Sequence, residues 1–171
     1  MIEQIVSLTE SLIRFRTTAK NPDEIRRCAA FIESWLTERG VACRTIEEAG
    51  VPSVIAIPQP GYAPVLLMSH IDVVEGGEEL FSPRVEDGRL YGRGSLDDKY
   101  AAALSMVLMA RAAARQGAQI PSPLGILITG DEETGGFHGA KRTLAEIRTD
   151  FCIALDGGAV DKIVVKEKGL M

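Results

Sequence analysis

Short apolar runs alternate with helical patterns along this chain, and the alternation limits the folds open to it. The runs cover residues 41–45, 53–57, 65–68, 124–129 and 151–155, each bounded by turn residues. Runs of this length and setting are typical of buried strands. Strands that alternate with helices predict an α/β fold in which helices cover a largely buried sheet. No repeat, low-complexity tract or linker divides the sequence, so we expect one domain.

Helical patterns occur in four segments. Asn21 followed by Pro22 is typical of a helix start, and Gly40 is typical of a helix end. The third segment is rich in Ala, Leu and Met without internal Gly or Pro, which makes it the strongest helical pattern. Residues 75–89 predict a loop, followed by a short strand at 90–91. The four predicted helices cover residues 2–15, 21–40, 98–116 and 139–147.

Composition and charge exclude several classes of protein. Of 171 residues, 46% are hydrophobic and 25% charged, and the net charge is -5. Without a basic tract, this balance argues against a nucleic-acid partner. The three cysteines form no C-x-x-C pair, the amino terminus lacks a signal-peptide pattern, and the longest apolar run, residues 101–110, is too short for a membrane span. We therefore predict a soluble, cytoplasmic protein with no membrane partner.

Acidic side chains and one histidine follow three of the predicted strands and precede the longest helix. In open α/β sheets, ligands bind outside the carboxyl ends of parallel strands. Imidazole and carboxylate groups are ligands that Zn, Mn and Co accept. We therefore predict a metal site at this edge of the sheet. The candidate residues are His70, Asp72, Asp97, Asp98, Asp131, Glu132, Glu133 and Asp156.

Each candidate also has a simpler interpretation when taken alone. Asp97 or Asp98 is typical of a helix cap, Asp156 of a turn, and residues 131–133 of a solvated loop. His70 alone is typical of a hydrogen-bonded core histidine. The metal site is favoured because unrelated caps and turns have no reason to gather at strand ends. The second histidine, at position 138, has no partner at metal-ligand spacing and is interpreted as a surface residue.

Local spacing predicts two further relationships. In extended backbone His70 and Asp72 share a face, so the Asp72 carboxylate is expected to reach the ring nitrogen of His70 that does not face a metal. Glu132 and Glu133 are neighbours and point in different directions. This favours a division of labour in which one binds metal and the other transfers a proton.

Four motifs carry a family resemblance. They are SHIDVV at 69–74, YGRGSLDDK at 91–99, TGDEETGG at 129–136 and LDGG at 155–158. In this order they resemble the co-catalytic zinc metallopeptidase family that includes acetylornithine deacetylase, succinyl-diaminopimelate desuccinylase, aminoacylase and glutamate carboxypeptidase. The resemblance extends to an expected strand around Val164 and Val165. It implies a three-layer αβα catalytic domain with a mostly parallel, mixed sheet.

The resemblance also implies a set of metal ligands. His70 and Asp156 are expected to bind one metal ion, Glu133 to bind a second, and Asp97 to bridge the two. Zinc is the implied metal, with Co or Mn as alternatives. The family pattern further implies a cis peptide between Asp97 and Asp98.

The implied reaction is hydrolysis of an amide bond in an N-acyl amino acid or a short peptide, of the deacetylase or carboxypeptidase type. The resemblance makes Glu132 the general base and has Asp72 orient His70. A carboxylate suits this task because it accepts a proton from water beside a metal without occupying a coordination position.

The chain differs from the family in length. Family members are longer: after the segment that matches Asp156 they insert a second α/β domain, then return to supply a last histidine ligand. This sequence stops at Met171, and His138 does not match that ligand. We expect residues 1–171 to be the amino-terminal part of one catalytic domain, without the inserted lid and dimerisation domain and the last catalytic segment. The full-length form is expected to be a homodimer.

This departure has consequences for the isolated chain. It should be poorly active, and an uncovered apolar sheet edge should favour association. A smaller departure is Tyr100, which stands where the family commonly has Gly. Two alternatives stay open: a catalytically inactive metal-binding fragment or regulatory homologue, and a Mg-dependent phosphohydrolase. Glu132, which binding alone does not need, favours the hydrolase, and His70 argues against the phosphohydrolase.

Overall fold

A computed structural model describes residues 1–115, 122–157 and 162–165. Its central element is a mixed five-stranded sheet with the strand order β1-β2-β6-β3-β7, and β4 and β5 form a separate hairpin. Strand β3 lies between β6 and β7 and is parallel to both, whereas β1, β2 and β6 pair antiparallel in turn. The strands are β1 (Arg44–Glu48), β2 (Val51–Ala56), β3 (Tyr62–His70), β4 (Arg84–Glu86), β5 (Arg89–Tyr91), β6 (Leu124–Thr129) and β7 (Arg148–Ala154).

Three long helices cover one face of the sheet: α1 (Ile2–Ile13), α2 (Pro22–Thr37) and α3 (Lys99–Ala114). Helix α3 packs against α1 on one side and against β3 and β6 on the other. This position explains why its sequence is apolar around most of its circumference, since a helix enclosed by protein needs no polar face. The core on this side is formed by fully buried apolar side chains that include Leu12, Ile32, Ile71, Met106 and Ile126.

The opposite face of the sheet has a smaller core and a short helix, α4 (Ala140–Leu144). Ile55, Leu66 and Leu127 point to this face and pack with Ile147, and Leu144 of α4 packs against them. Helices therefore lie on both sides of the sheet. The predicted αβα arrangement with a mixed sheet is confirmed.

Most predicted elements are present, with shifted ends. Helix α2 ends at Thr37 and Gly40 follows with a φ of 75°, as its sequence predicted. The N–H of Val41 then donates to the Leu36 carbonyl at 3.1 Å, which turns Val41 into the core. For this reason β1 begins at Arg44 and not at residue 41.

Other predicted boundaries differ more. The fourth helix ends at Leu144, three residues early, because the chain turns there to bury Ile147. The expected strand around Val164 and Val165 is wrong: residues 162–165 have no regular secondary structure, and no strand of the described residues pairs with them. The predicted helix end at residues 116–117 and the last glycine of LDGG, residue 158, lie outside the described residues.

The hairpin of β4 and β5 occupies a stretch for which the sequence predicted mostly loop. Asp87 and Gly88 connect the two strands with φ values of 50° and 73°. Positive φ at both central residues is the signature of a type I′ turn, for which Asp-Gly is a favoured pair. The Asp-Gly pair was the sequence signal for this hairpin.

No helix in the described part of the chain has the length and apolar content needed to span a bilayer.

Candidate metal centre

The candidate site lies where three parallel strands end. His70 is the last residue of β3, Glu132 comes three residues after the end of β6, and Asp156 comes two residues after the end of β7. Because β3 lies between β6 and β7, their carboxyl ends meet at one edge of the sheet. Asp97 reaches the same edge from the segment that precedes α3.

Three carboxylates surround one ring nitrogen of His70. Its Nε2 atom lies 3.0 Å from Oδ1 of Asp97, 3.8 Å from Oε2 of Glu132 and 3.9 Å from Oδ2 of Asp156. The histidine side chain is 2% exposed, whereas the three carboxylates are about half exposed. The group therefore has a buried nitrogen donor at its base and oxygen donors open to solvent.

This donor set fits a divalent metal. The ligand atoms of His70, Glu132 and Asp156 all lie within 4.8 Å of one another. One imidazole with carboxylates suits Zn, Co or Mn. Glu133, expected from the sequence as a metal ligand, is not a member of this group among the described residues, whereas Glu132 is.

Asp72 holds the other ring nitrogen of His70. Nδ1 of His70 lies 2.9 Å from the Asp72 backbone carbonyl and 3.4 Å from its carboxylate. A carbonyl only accepts hydrogen bonds, so Nδ1 carries the hydrogen and Nε2 is the nitrogen available to a metal. The Asp72 carboxylate also accepts the backbone N–H groups of Glu132 at 3.1 Å and Glu133 at 2.9 Å.

The glycines that follow the two glutamates shape their turn. Gly135 and Gly136 have φ values of 102° and 67°, which favour glycine and form a tight turn. Their N–H groups donate to the carbonyls of Glu132 and Asp131 at 2.9 and 2.8 Å. The turn thus exposes the two glutamate side chains at the sheet edge.

Residues 97–99 connect this edge to two other elements. The Asp97–Asp98 peptide is cis, as the family resemblance implied. Asp98 is fully buried and its Oδ2 accepts the backbone N–H of His70 at 3.2 Å. Lys99 is also fully buried, and its Nζ donates to the carbonyls of Leu12 and Phe15 at the end of α1. These contacts were not predicted from the sequence, although a run of charges just before an apolar helix was a usable signal.

Asp131, expected from the sequence as a candidate for the metal site, is buried and is not a member of the His70 group among the described residues. Its Oδ2 accepts the backbone N–H groups of His138 at 2.9 Å and Gly139 at 3.0 Å, which ties the glycine-rich loop to the end of β6. The His138 side chain is half exposed and lies 3.9 Å from Glu48. His138 therefore lies outside the group around His70.

The local charges shift several pKa values. Burial lowers the pKa of His70, but the hydrogen bond and charge of Asp72 and the charge of Asp98 outweigh this effect and raise it to about 10. Burial raises the pKa of Asp98 to about 7 although His70 opposes it. Burial also raises the pKa of Glu132 and Glu133, and neighbouring carboxylates add to the effect. The site therefore favours bound protons or cations.

Comparison with known proteins places these residues in context. A family profile described as "Peptidase family M20/M25/M40" matches residues 66–170. The succinyl-diaminopimelate desuccinylase of Parvibaculum lavamentivorans is 32% identical over 164 residues, which cover 86% of this chain and 40% of that protein. The chain thus spans about 40% of the length of this curated relative.

Two solved structures share the fold. Human carnosine dipeptidase 1 matches with a TM-score of 0.71 at 17% identity, over 91% of this chain and 38% of that one. An M20 family metallo-carboxypeptidase from Sulfolobus solfataricus also matches with a TM-score of 0.71 at 17% identity, over 88% of this chain and 37% of that one.

Proposed function

The chain belongs to peptidase family M20/M25/M40, and on that premise we propose that it acts as a metal-dependent hydrolase of amide bonds in N-acyl amino acids or short peptides. The observation that carries the proposal is the convergence of three carboxylates within 3.0 to 3.9 Å of a single histidine nitrogen. The ligand atoms of Glu132 and Asp156 lie within 4.8 Å of each other, where two carboxylates repel, and a bound cation relieves that repulsion.

The metal ligands follow the family pattern. His70, Asp97 and Asp156 would hold one ion, and Asp97 and Glu133 would hold a second. Burial, followed by the charge of Asp97, raises the pKa of Glu133, so the two carboxylates interact electrostatically. Zinc suits the mixture of imidazole and carboxylate, and cobalt or manganese suit it as well. A divalent metal bound here supplies a Lewis acid that polarises the scissile carbonyl and acidifies water.

Glu132 acts as the general base. It accepts the proton of the attacking water and transfers it to the leaving amine. Two observations support this role. Its carboxylate lies 3.8 Å from His70 and is half exposed, so water reaches it. Burial and the neighbouring carboxylates raise its pKa, which makes it a stronger proton acceptor than an exposed glutamate.

Asp72 positions the other groups. Its carboxylate holds the backbone of both glutamates, and its carbonyl holds the ring of His70 in the orientation that presents Nε2. A ligand held in this way loses less freedom when metal binds.

The substrate class is proposed from the relatives. The curated relative is named a succinyl-diaminopimelate desuccinylase and the similar structures are a dipeptidase and a carboxypeptidase. N-succinyl-diaminopimelate is therefore the first compound to assay, followed by N-acetyl amino acids and dipeptides. We further propose that the whole protein is a homodimer whose remaining sequence supplies a last histidine ligand and a substrate-binding domain.

Metal stoichiometry tests the proposal directly. The wild-type protein and the variants His70→Ala, Asp156→Ala and His138→Ala are loaded with zinc at matched concentration and measured by elemental analysis. We expect about one zinc per chain in the wild type and its loss in the first two variants, since three protein ligands hold a zinc ion. His138→Ala is the matched control because it removes the histidine outside the group, and it should retain zinc.

Turnover separates the hydrolase from the alternative. Zinc binding together with hydrolysis of any compound in the panel supports the proposed function. Zinc binding without hydrolysis would support an inactive metal-binding fragment or regulatory homologue. Equal zinc content in all four proteins would exclude the proposed site.

A further inference from the structure

Tyr100 contacts the strand end that carries Asp156. It lies in the first turn of α3, three residues after Asp97, and its hydroxyl donates to the backbone carbonyl of Leu155 at 3.0 Å. Tyr100 and Leu155 are 55 positions apart in the sequence. The bond therefore joins α3 to the end of β7 directly beside a candidate metal ligand.

Besides this bond, Leu155 packs against the main core through its partly buried side chain and has one backbone hydrogen bond among the described residues. Its N–H donates to the carbonyl of Met68 at 2.9 Å, which is the last backbone bond between β7 and β3. Within residues 1–115, 122–157 and 162–165, β7 pairs with β3 and with no second strand. Edge strands open more readily than central ones because one row of backbone groups is unpaired. The bond from Tyr100 gives the strand end a second attachment.

The Asp156 carboxylate depends on the backbone that precedes it for its position. The Asp72 carboxylate is held by two backbone N–H groups, and Asp97 lies 3.0 Å from His70. Among the described residues, no side chain or backbone N–H donates to the Asp156 carboxylate, and its Oδ2 lies 3.9 Å from Nε2 of His70. Its placement therefore follows from the backbone that precedes it.

We propose that Tyr100 is a positioning residue that holds the Asp156 carboxylate in the metal-binding group through its hydrogen bond to Leu155. The inference rests on the proposed function, since it assumes that Asp156 is a metal ligand. A side chain at position 100 that lacks a hydroxyl leaves the backbone of Leu155 with its hydrogen bond to Met68 alone. Tyr100 thus sets the distance between Asp156 and Asp97, because both are then fixed to the first turn of α3.

Cobalt binding to the metal-free protein tests this inference, with visible absorption reporting both affinity and ligand geometry. Tyr100→Phe removes only the hydroxyl. We expect cobalt to bind about three- to tenfold more weakly, the effect of one lost hydrogen bond, with a changed absorption spectrum. Thermal unfolding of the metal-free variant shows whether it is folded.

Two further variants separate positioning from a general loss of stability. Tyr62→Phe is the matched control, because Tyr62 also donates its hydroxyl to β7, at Asp150 and 2.7 Å, but far from the strand end. It should leave cobalt affinity and spectrum unchanged. Asp156→Asn provides a double-mutant test: if Tyr100 acts through Asp156, adding Tyr100→Phe to this variant should change affinity by less than about twofold.

The outcomes distinguish this inference from the function on which it rests. If wild type binds cobalt and Asp156→Asn weakens binding, but Tyr100→Phe matches wild type, the inference is overturned and the metal site stands. If Tyr100→Phe weakens binding equally in both backgrounds, Tyr100 does not act through Asp156. If the wild type binds no cobalt, the proposed site and this inference are both overturned.

Discussion

The carboxylate of Asp72 accepts the backbone N–H of Glu133 at 2.9 Å, across 61 positions of sequence. The same carboxylate accepts the N–H of Glu132 and lies 3.4 Å from the ring of His70. One buried side chain after β3 therefore sets the placement of both glutamates after β6. Asp72 thereby connects the end of β3 to the end of β6 and helps to orient His70, the last residue of β3.

Replacing Asp72 should weaken metal binding, although Asp72 is not itself a proposed metal ligand. In Asp72→Ala the two glutamate N–H groups lose their acceptor, and the His70 ring keeps the backbone carbonyl but loses the nearby carboxylate. We therefore expect metal affinity to fall about 10- to 100-fold. Competition with a coloured chelator measures this change. Asp150→Ala is the control, because that carboxylate also accepts a hydrogen bond, from Tyr62, but lies away from the site. Equal affinity in both variants would contradict the role given to Asp72.

The two glutamates should respond differently to the same substitution. Glu132→Gln is expected to retain metal and to lose turnover by about 100-fold or more, because the amide accepts no proton. Glu133→Gln is expected to bind the second ion more weakly, at zinc concentrations above those that load the first ion, since this chain supplies only Asp97 and Glu133 to the second site. Elemental analysis and single-turnover kinetics on the same samples separate the two effects. Metal loss in Glu132→Gln would instead make Glu132 a metal ligand. Its carboxylate lies beside the ligand atoms of His70 and Asp156, where it could bind the same ion.

Metal affinity should rise with pH. The pKa of His70 is raised to about 10, chiefly by Asp72 against the opposing effect of burial, so the ring is protonated at neutral pH without metal. Metal binding needs the neutral ring and must release that proton, so affinity should increase about tenfold per pH unit between pH 6 and 8. Calorimetry in buffers of different ionisation enthalpy should report about one proton released per metal ion. Affinity that does not change with pH would mean that the ring is already neutral.

Lys99 should contribute to the free energy of unfolding. Its buried ammonium donates to the carbonyls of Leu12 at 3.0 Å and Phe15 at 2.7 Å, although burial lowers its pKa to about 8. We expect Lys99→Met to destabilise the protein by about 1 to 2 kcal/mol. The loss of two hydrogen bonds from a charged donor destabilises the fold, and removal of the buried charge offsets only part of this loss. Urea unfolding measures the change. Lys20→Met, at an exposed lysine, should stay within about 0.5 kcal/mol of wild type.

The edge at β7 should promote association. Phe151 and Ile153 are 69% and 46% exposed on this strand, and within the described residues the strand has one neighbour. We expect light scattering to show self-association that Phe151→Lys and Ile153→Lys reduce, because a charge on an edge strand disfavours pairing. Val85→Lys, at an apolar residue 55% exposed on β4, is the control. If all three variants associate as wild type does, this edge is not the cause.

Sequence patterns were sufficient wherever the signal was local. Asn21-Pro22 and Gly40 marked the ends of α2 to within three residues, because caps and stops act on neighbouring backbone. The Asp87-Gly88 turn was also local, and the hairpin around it could have been predicted. The strand expected around Val164 could not be judged locally, because a strand forms only beside a partner.

The candidate site also combines features that local sequence predicted with features that depend on distant residues. The residue types at positions 70, 97, 132 and 156 followed from the sequence, because side chains after parallel strands share one edge of the sheet. The burial of Asp98 and Lys99 did not follow, since charged residues at a helix start are ordinarily solvated. Their partners lie on β3 and α1, far away in sequence.

The sequence alone thus determined the alternation of strands and helices and the chemistry available at the strand ends, because periodicity and residue type are local properties of the chain. The tertiary structure decided the strand order that puts β3 between β6 and β7, and with it the three distances to His70. It also decided which backbone groups Asp72 and Tyr100 hold. Those contacts join residues 55 to 61 positions apart, and only packing of the whole sheet and its helices brings such residues together.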